Sequence, residues 1–144
     1  MVLNKSRLLF LVGTAAVFLT GQAALADTKP LSISDDRNVS VTLPAQAKRV
    51  AAVSYLAVDV GLAVGVKPVA TTYMTAGRDP EFLLGLTKDM TAIGQRAKPN
   101  LELLSKANPD VIIAMQRHPV GDAAQPQKIA PYVAYNIQLL HDDY

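Results

Sequence analysis

From Leu31 to Leu43 the chain alternates apolar and polar residues, Leu31-Ser-Ile-Ser34 and Val39-Ser-Val-Thr-Leu43, around the tetrad Asp35-Asp36-Arg37-Asn38. Alternation of period two marks a half-exposed strand, and the tetrad is turn chemistry. The pattern therefore predicts an N-terminal β-hairpin, which Pro44 ends. From Val50 the chain turns to short unbroken apolar runs: Val50–Val53, Val66–Ala70, Met90–Ile93, Val111–Met115 and Val133–Tyr135. Runs apolar on both faces imply strands covered on both sides. Between them lie helix signals. Ser54 caps a helix over Tyr55–Val64 that Gly65 closes, Asp79-Pro80 opens one to Leu86, Asn100 caps Leu101–Ala107, and Ala123–Ala130 forms a weaker fourth.

Strands alternating with helices predict an α/β fold: a Rossmann-like parallel sheet flanked by helices and preceded by the short hairpin. Such sheets bind ligands beyond the carboxyl ends of their strands. The residues expected there are Ser54 and Tyr55; Thr71, Thr72 and Tyr73; Gly94, Gln95 and Arg96; Gln116, Arg117 and His118; and Asn136. Gly77 and Arg78, in the loop that follows Tyr73, share that predicted rim.

Residues 1–26 stand apart from this pattern. Lys5 and Arg7 precede the apolar stretch Leu8–Leu19, and Ala24-Leu25-Ala26 offers the small residues a signal peptidase accepts, so a cleavable export signal cut after Ala26 is expected. A membrane anchor is the alternative, but Gly13, Thr14, Thr20, Gly21 and Gln22 dilute the run. Lys5 and Arg7 are two of the 14 basic residues, and the segment holds none of the 12 acidic ones, so residues 27–144 carry 12 of each. A neutral chain offers no basic face for nucleic acid or anionic lipid. The absence of cysteine excludes disulfides, thiol catalysis and zinc–thiolate sites. An exported soluble chain of this kind is expected in the bacterial periplasm.

Candidate chemistry centres on cations. Arg96, Arg117 and Arg78 follow strands and could converge with His118 on one anionic ligand, since guanidinium forks bind carboxylate or phosphate in a bidentate way. Taken singly, each is as well explained as a solvated loop cation in a local salt bridge, and His118 as a solvated imidazole. Tyr55 and Tyr73 can present an aromatic face and a hydroxyl to a ligand, although core packing explains Tyr55 equally well. His118 and His141 are the two histidines, too few for a bare transition-metal site without added carboxylates. No Gly-x-Ser-x-Gly elbow occurs, and Gly61-Leu-Ala-Val-Gly65 falls within or just after a predicted helix, where it opens no phosphate loop. An enzyme is not expected.

Five strings occur in register: Lys48-Arg-Val-Ala-Ala-Val53, Ala63-Val-Gly-Val-Lys-Pro-Val69, Ile93-Gly-Gln-Arg-Ala-Lys-Pro-Asn-Leu-Glu102, Asn108-Pro-Asp-Val-Ile-Ile-Ala114 and Lys128-Ile-Ala-Pro131. Their order and spacing resemble the periplasmic ferric-siderophore-binding proteins of ABC importers, over essentially all of Leu31 to Asn136. The resemblance implies two α/β lobes bridged by a long helix, with the iron chelate in the cleft between them. Residues 27–144 then correspond to the N-terminal lobe alone, truncated before the bridging helix. It implies no cofactor, since the ligand is an Fe(III)–siderophore complex whose iron the siderophore holds. Arg96 resembles the chelate-binding arginine of that family, and Arg117 or His118 falls where the next cleft residue lies. The Gly-Gln-Arg-Ala-Lys-Pro-Asn-Leu-Glu and Arg-His strings most resemble the ferric-citrate type, although hydroxamate and catecholate binders have similar patterns. Several cationic donors suit an anionic chelate such as ferric citrate. The implied partners are the ferric siderophore, an inner-membrane ABC permease and a separate second lobe. Relatives often carry a glutamate just before the Ile-Ala-Pro segment for docking the permease, and here Asp122 is the acidic residue available. Two alternatives stay open: a truncated or split half-protein that needs its second lobe, and the same fold binding haem or cobalamin.

Overall fold

The computed structural model describes residues 29–116 and 123–137. The expected signal segment (1–26), Arg117, His118, Asp122 and His141 lie outside the described residues. The predicted hairpin is present: β1 (Leu31–Ser34) pairs antiparallel with β2 (Ser40–Leu43), Leu31 facing Leu43 and Ser34 facing Ser40. It precedes a six-stranded sheet of β3 (Val50–Val53), β4 (Ala70–Tyr73), β5 (Thr91–Gln95), β6 (Lys98–Pro99), β7 (Val111–Met115) and β8 (Tyr132–Tyr135). The spatial order is β6-β5-β4-β3-β7-β8, all neighbouring pairs parallel except β5–β6.

β3 lies in the interior of this sheet and is buried along its whole length. Its residues alternate between two cores, as strand geometry requires. Ala51 and Val53 join Ile93, Ile112 and Ala114 beneath Leu104 and Ala107 of the α2 region, whereas Ala52 joins Ala57, Val58, Leu83 and Met90 on the opposite face. Helix α1 (Tyr55–Ala63) covers that second face, and α2 (Leu101–Lys106) covers the first. Both predicted caps hold. The Ala57 N–H donates to Ser54 Oγ at 3.1 Å and the Leu103 N–H to Asn100 Oδ1 at 3.0 Å, matching orphan donors of each first turn. Among the described residues no helix is long and apolar enough to cross a membrane.

The structure corrects four expected boundaries. The run Val66–Ala70 is spent on the connection: Val66 N–H donates to Gly61 O at 2.7 Å, and Pro68 has no N–H for a ladder. The strand therefore runs Ala70–Tyr73, with Thr71 and Thr72 buried inside it instead of standing on the rim. β5 begins one residue later than Met90–Ile93 and ends two residues later, which takes Gly94 and Gln95 into the sheet. The helix expected from Asp79 is a single 3₁₀ turn, Glu81–Leu83, because Leu84 and Gly85 take left-handed conformations (φ 48° and 75°). The helix expected over Ala123–Ala130 likewise shrinks to the 3₁₀ turn Pro126–Lys128, since Pro126 lacks the donor an α-helix would use.

Several of the recurrent strings have structural duties. The backbone N–H groups of Lys48 and Arg49 donate to the Asp110 carboxylate at 2.7 and 3.0 Å, and the Arg49 guanidinium donates to the carbonyls of Ala107 and Asn108 at the end of α2. Gly61 is needed because a Cβ there would lie 2.7 Å from the Val66 carbonyl oxygen.

The hairpin is fastened to the sheet by a buried ion pair. Asp35 and Arg37 have side chains 0% and 5% exposed, and Arg37 Nε donates to Asp35 Oδ2 at 2.7 Å. The Ala134 N–H of β8 donates to the same oxygen at 3.0 Å, and Arg37 Nη2 donates to the Tyr132 carbonyl at 3.0 Å while its guanidinium lies over the Tyr132 ring. Burial by itself would raise the Asp35 pKa. The hydrogen bonds from the Arg37 side chain and from the N–H groups of Ala134, Arg37 and Val39 outweigh it and hold the carboxyl below its usual 3.8.

A folded-state pKa below the unfolded one means that Asp35 contributes its full stability above the unfolded value and loses it as pH falls through the folded one. Asp35→Asn is expected to lower stability at neutral pH by about 3–5 kcal/mol, because Arg37 is left buried without its partner. It is also expected to flatten the loss of stability below pH 3.8. Urea unfolding at a series of pH values checks both, and an unchanged acid limb would contradict the assignment. Gly61→Ala is expected to cost about 1–3 kcal/mol from overpacking against the Val66 carbonyl, read as a lower urea midpoint with an unchanged slope.

Candidate functional site

Chain order and spatial order diverge at β3. From it the chain steps to β4 and β5 on one side, then returns to place β7 and β8 on the other. The carboxyl ends of β3 and β7 therefore flank a topological switch point, where a crevice forms because the connections leave in opposite directions. A cavity of about 410 Å³ opens at that place. Val53 from β3, Ala114, Met115 and Gln116 from the end of β7, and Tyr132 and Ala134 from β8 line one part of it. Arg96 to Pro99 and Leu101 and Leu104 line another, and Ala123, Gln125, Pro126 and Arg37 complete the wall.

Arg96 reaches this cavity through local geometry. Gly94 has φ +93°, and a Cβ on it would stand 3.2 Å from the Asn100 nitrogen. The chain can thus double back tightly, with Asn100 N–H donating to Ile93 O at 2.7 Å and Arg96 N–H to Tyr73 O at 3.1 Å. Arg96 sits half-buried at the turn between β5 and β6, tethered to the end of β4.

Beside it the ends of β3 and β8 are joined across β7. The Ser54 hydroxyl, already the cap of α1, shares a hydrogen bond with the Tyr135 hydroxyl. Burial raises the Tyr135 pKa, opposed by that hydrogen bond and by the positive charge of Arg96. The Arg96 charge is therefore felt at the Tyr135 phenol, at the carboxyl edge of the sheet.

The expected site residues divide into groups. Arg96 lines the cavity, and Tyr73, half-buried, ends β4 with its carbonyl bonded to Arg96. Tyr55 and Arg78 line a different, shallower depression with Met74, Asp79, Glu81 and Phe82. There the Tyr55 hydroxyl accepts the Met74 N–H at 3.1 Å and its ring meets Phe82 edge-on at 6.2 Å, so Tyr55 both packs and shapes the surface. Arg78 is exposed, bridging to Thr75 through the backbone. Arg117, His118 and Asp122 lie outside the described residues. Sequence reasoning did not single out Tyr135 or Ser54 as a pair, because no local signal links residues 81 positions apart. Among the described residues no group of three or more His, Cys, Asp or Glu side chains comes together to hold a metal ion.

No protein-family model matches the chain. The Fe(3+)-citrate-binding protein YfmC of Bacillus subtilis (strain 168) is 31% identical over 98 residues, which cover 68% of this chain and 31% of that protein. Staphylococcus aureus SirA, solved in complex with staphyloferrin B, matches with a TM-score of 0.66 at 33% identity, over 73% of this chain and 36% of that one. The iron uptake ABC transporter substrate-binding protein PiuA of Streptococcus pneumoniae matches with a TM-score of 0.63 at 25% identity, over 76% and 37%. The chain thus resembles one lobe of the siderophore-binding proteins of iron uptake, and it spans about a third of the length of the relatives it matches. These relatives are binding proteins and not enzymes, in agreement with the sequence.

The proximity of Arg96 to Tyr135 generates a direct test. Because the arginine charge favours the phenolate, Arg96→Ala is expected to move the Tyr135 titration to still higher pH, seen as a later last step in the alkaline rise of tyrosinate absorbance. An unmoved titration would place the guanidinium elsewhere.

Proposed function

We propose that residues 27–144 form the N-terminal lobe of a periplasmic ferric-siderophore-binding protein. In this reading the lobe is exported by a signal peptide cleaved after Ala26 and presents an anionic ferric chelate, with ferric citrate favoured, to the inner-membrane permease of an ABC importer. The observation that carries the reading is Arg96 at the wall of the cavity at the sheet's switch point. The similarity to a protein named for Fe(3+)-citrate binding supports it.

A ferric chelate of carboxylates presents oxygens with residual negative charge, and a guanidinium donates to two of them at once through charge-assisted hydrogen bonds. Half-burial of Arg96 strengthens these bonds, because a partly water-excluded site screens charge less than bulk solvent does. Arg117 and His118 follow Gln116 directly in sequence and are proposed to extend the cationic wall. Tyr73, Tyr55 and Arg78 are proposed to contact the chelate's outer surface, and Asp122 to meet the permease. The iron travels as cargo inside its chelator.

A second reading is favoured by the length of the relatives, about three times the matched span. In it the lobe is a half-site whose grip requires a second lobe, because a ligand held from one side keeps much of its surface in water.

Intrinsic tyrosine emission separates these readings, since the chain has five tyrosines and no tryptophan. Ferric citrate is expected to quench it saturably, less at high salt, with affinity falling about tenfold in Arg96→Ala for the loss of a charge-assisted contact. Quenching that appears only when a second lobe is supplied would establish the half-site. Saturable binding of haem or cobalamin, with none of ferric citrate, hydroxamate or catecholate chelates, would overturn the siderophore assignment.

A further inference from the structure

Gln116 is where the cavity leaves a polar group unmatched. It directly follows β7 at the switch point, and its backbone is fixed by donation from its N–H to the Tyr135 carbonyl at 2.8 Å. Gln116 is one of the residues that line the cavity that Arg96 also lines. Yet Gln116 Oε1 is enclosed and, among the described residues, meets no donor. The other enclosed side-chain atom in that condition, the Thr87 hydroxyl, does not line this cavity.

An enclosed amide oxygen without a donor is unfavourable, and nearly all such groups in folded proteins are matched. The terminal torsion of a glutamine side chain is broad, and no hydrogen bond holds this oxygen. Turning it into the cavity therefore forfeits no hydrogen bond of that atom and allows it to accept one from a bound molecule. Arg96 has donors only, so it recognises the anionic oxygens of a ligand but not its O–H or N–H groups. Gln116 supplies an acceptor without a competing hydrogen bond among the described residues.

We propose that Gln116 is a specificity-determining residue: its amide oxygen accepts a hydrogen bond from the bound chelate, so the cavity prefers ferric chelates that carry an O–H or N–H donor beside their anionic oxygens. This rests on the ferric-chelate reading above. A site built to accept a hydrogen bond rejects an analogue that lacks the donor, because its own polar group is then left unpaired.

The test compares the full chain with Gln116→Met, which keeps side-chain length and removes the amide, and with Arg96→Ala. Three probes are titrated by tyrosine emission. Ferric citrate offers hydroxyl or iron-bound water donors, the ferric complex of a citrate diamide adds N–H donors, and ferric tris-oxalate is anionic with neither. The unaltered chain is expected to bind the first two about tenfold more tightly than the third. Gln116→Met is expected to erase that difference by weakening the first two about tenfold while leaving tris-oxalate unchanged. A larger loss for the diamide identifies N–H as the donor, and a larger loss for citrate identifies O–H. Gln116→Leu, which also removes the amide, provides the same comparison if methionine alters the fold by circular dichroism. Equal weakening of all three probes, or of none, overturns the role of Gln116 alone. Failure of every probe to bind even when a second lobe is supplied, or binding indifferent to Arg96→Ala, overturns the ferric-chelate reading and this inference with it.

Discussion

The buried carboxylate of Asp35 is the interaction on which the arrangement of the hairpin and the cavity wall depends. An ionised carboxylate inside a protein is tolerable only when its lone pairs are matched. Asp35 achieves this by accepting from its own turn, from Arg37 and from the Ala134 N–H of β8. Asp36 repeats the device on the edge, its N–H donating to the Ala134 carbonyl and its carboxylate accepting from the Asn136 N–H. The hairpin turn thereby acts as a substitute neighbour for β8, which would otherwise present an open edge for pairing with another chain. The same clamp positions Arg37, Tyr132 and Ala134, three residues of the cavity wall.

The second determinant is the smallness of the sheet's interior residues. Ala51, Ala52, Ala70, Ala114 and Ala134 are all buried, so the elements covering the sheet can approach closely. A separate close approach favours glycine at position 61 near the end of α1, where the Val66 carbonyl of the following connection comes within reach of a side chain. Small residues at the carboxyl ends of β7 and β8 also leave volume unfilled beside Val53, and the cavity occupies it. The scaffold and the site are thus one packing solution: the chain order opens a crevice at the switch point, and the alanines keep it open.

Electrostatically the site is asymmetric. Arg37 lines the cavity yet is already satisfied by Asp35 and the Tyr132 carbonyl, so its charge is largely consumed by structure. Among the described residues Arg96 has its backbone N–H bonded and no such side-chain partner, and its charge is felt by the Tyr135 phenol. Two arginines at one cavity therefore have different duties, and composition alone does not distinguish them.

The sequence by itself determined the hairpin, the parallel α/β plan, the caps at Ser54 and Asn100, and Arg96 as a residue at the carboxyl ends of the strands. These are readable because their causes are local: alternation of period two or unbroken apolar runs, a side-chain oxygen placed before a helix, and a glycine that lets the chain turn before an arginine. The limits of β4 and β5 were decided by tertiary pairing. A strand begins where a neighbour's carbonyls and N–H groups are available, and an apolar run such as Val66–Val69 can equally serve as a connection. The polar tetrad at Asp35 read as turn chemistry and is a turn, but its Asp35 also forms a buried clamp that no local pattern shows, because its partner Ala134 lies 99 residues away. The bond between Ser54 and Tyr135, and the enclosure of Gln116 beside Arg96, have the same origin. Local pattern encodes which face a residue turns to the core, but which distant groups meet there follows only from the order in which the strands are laid down.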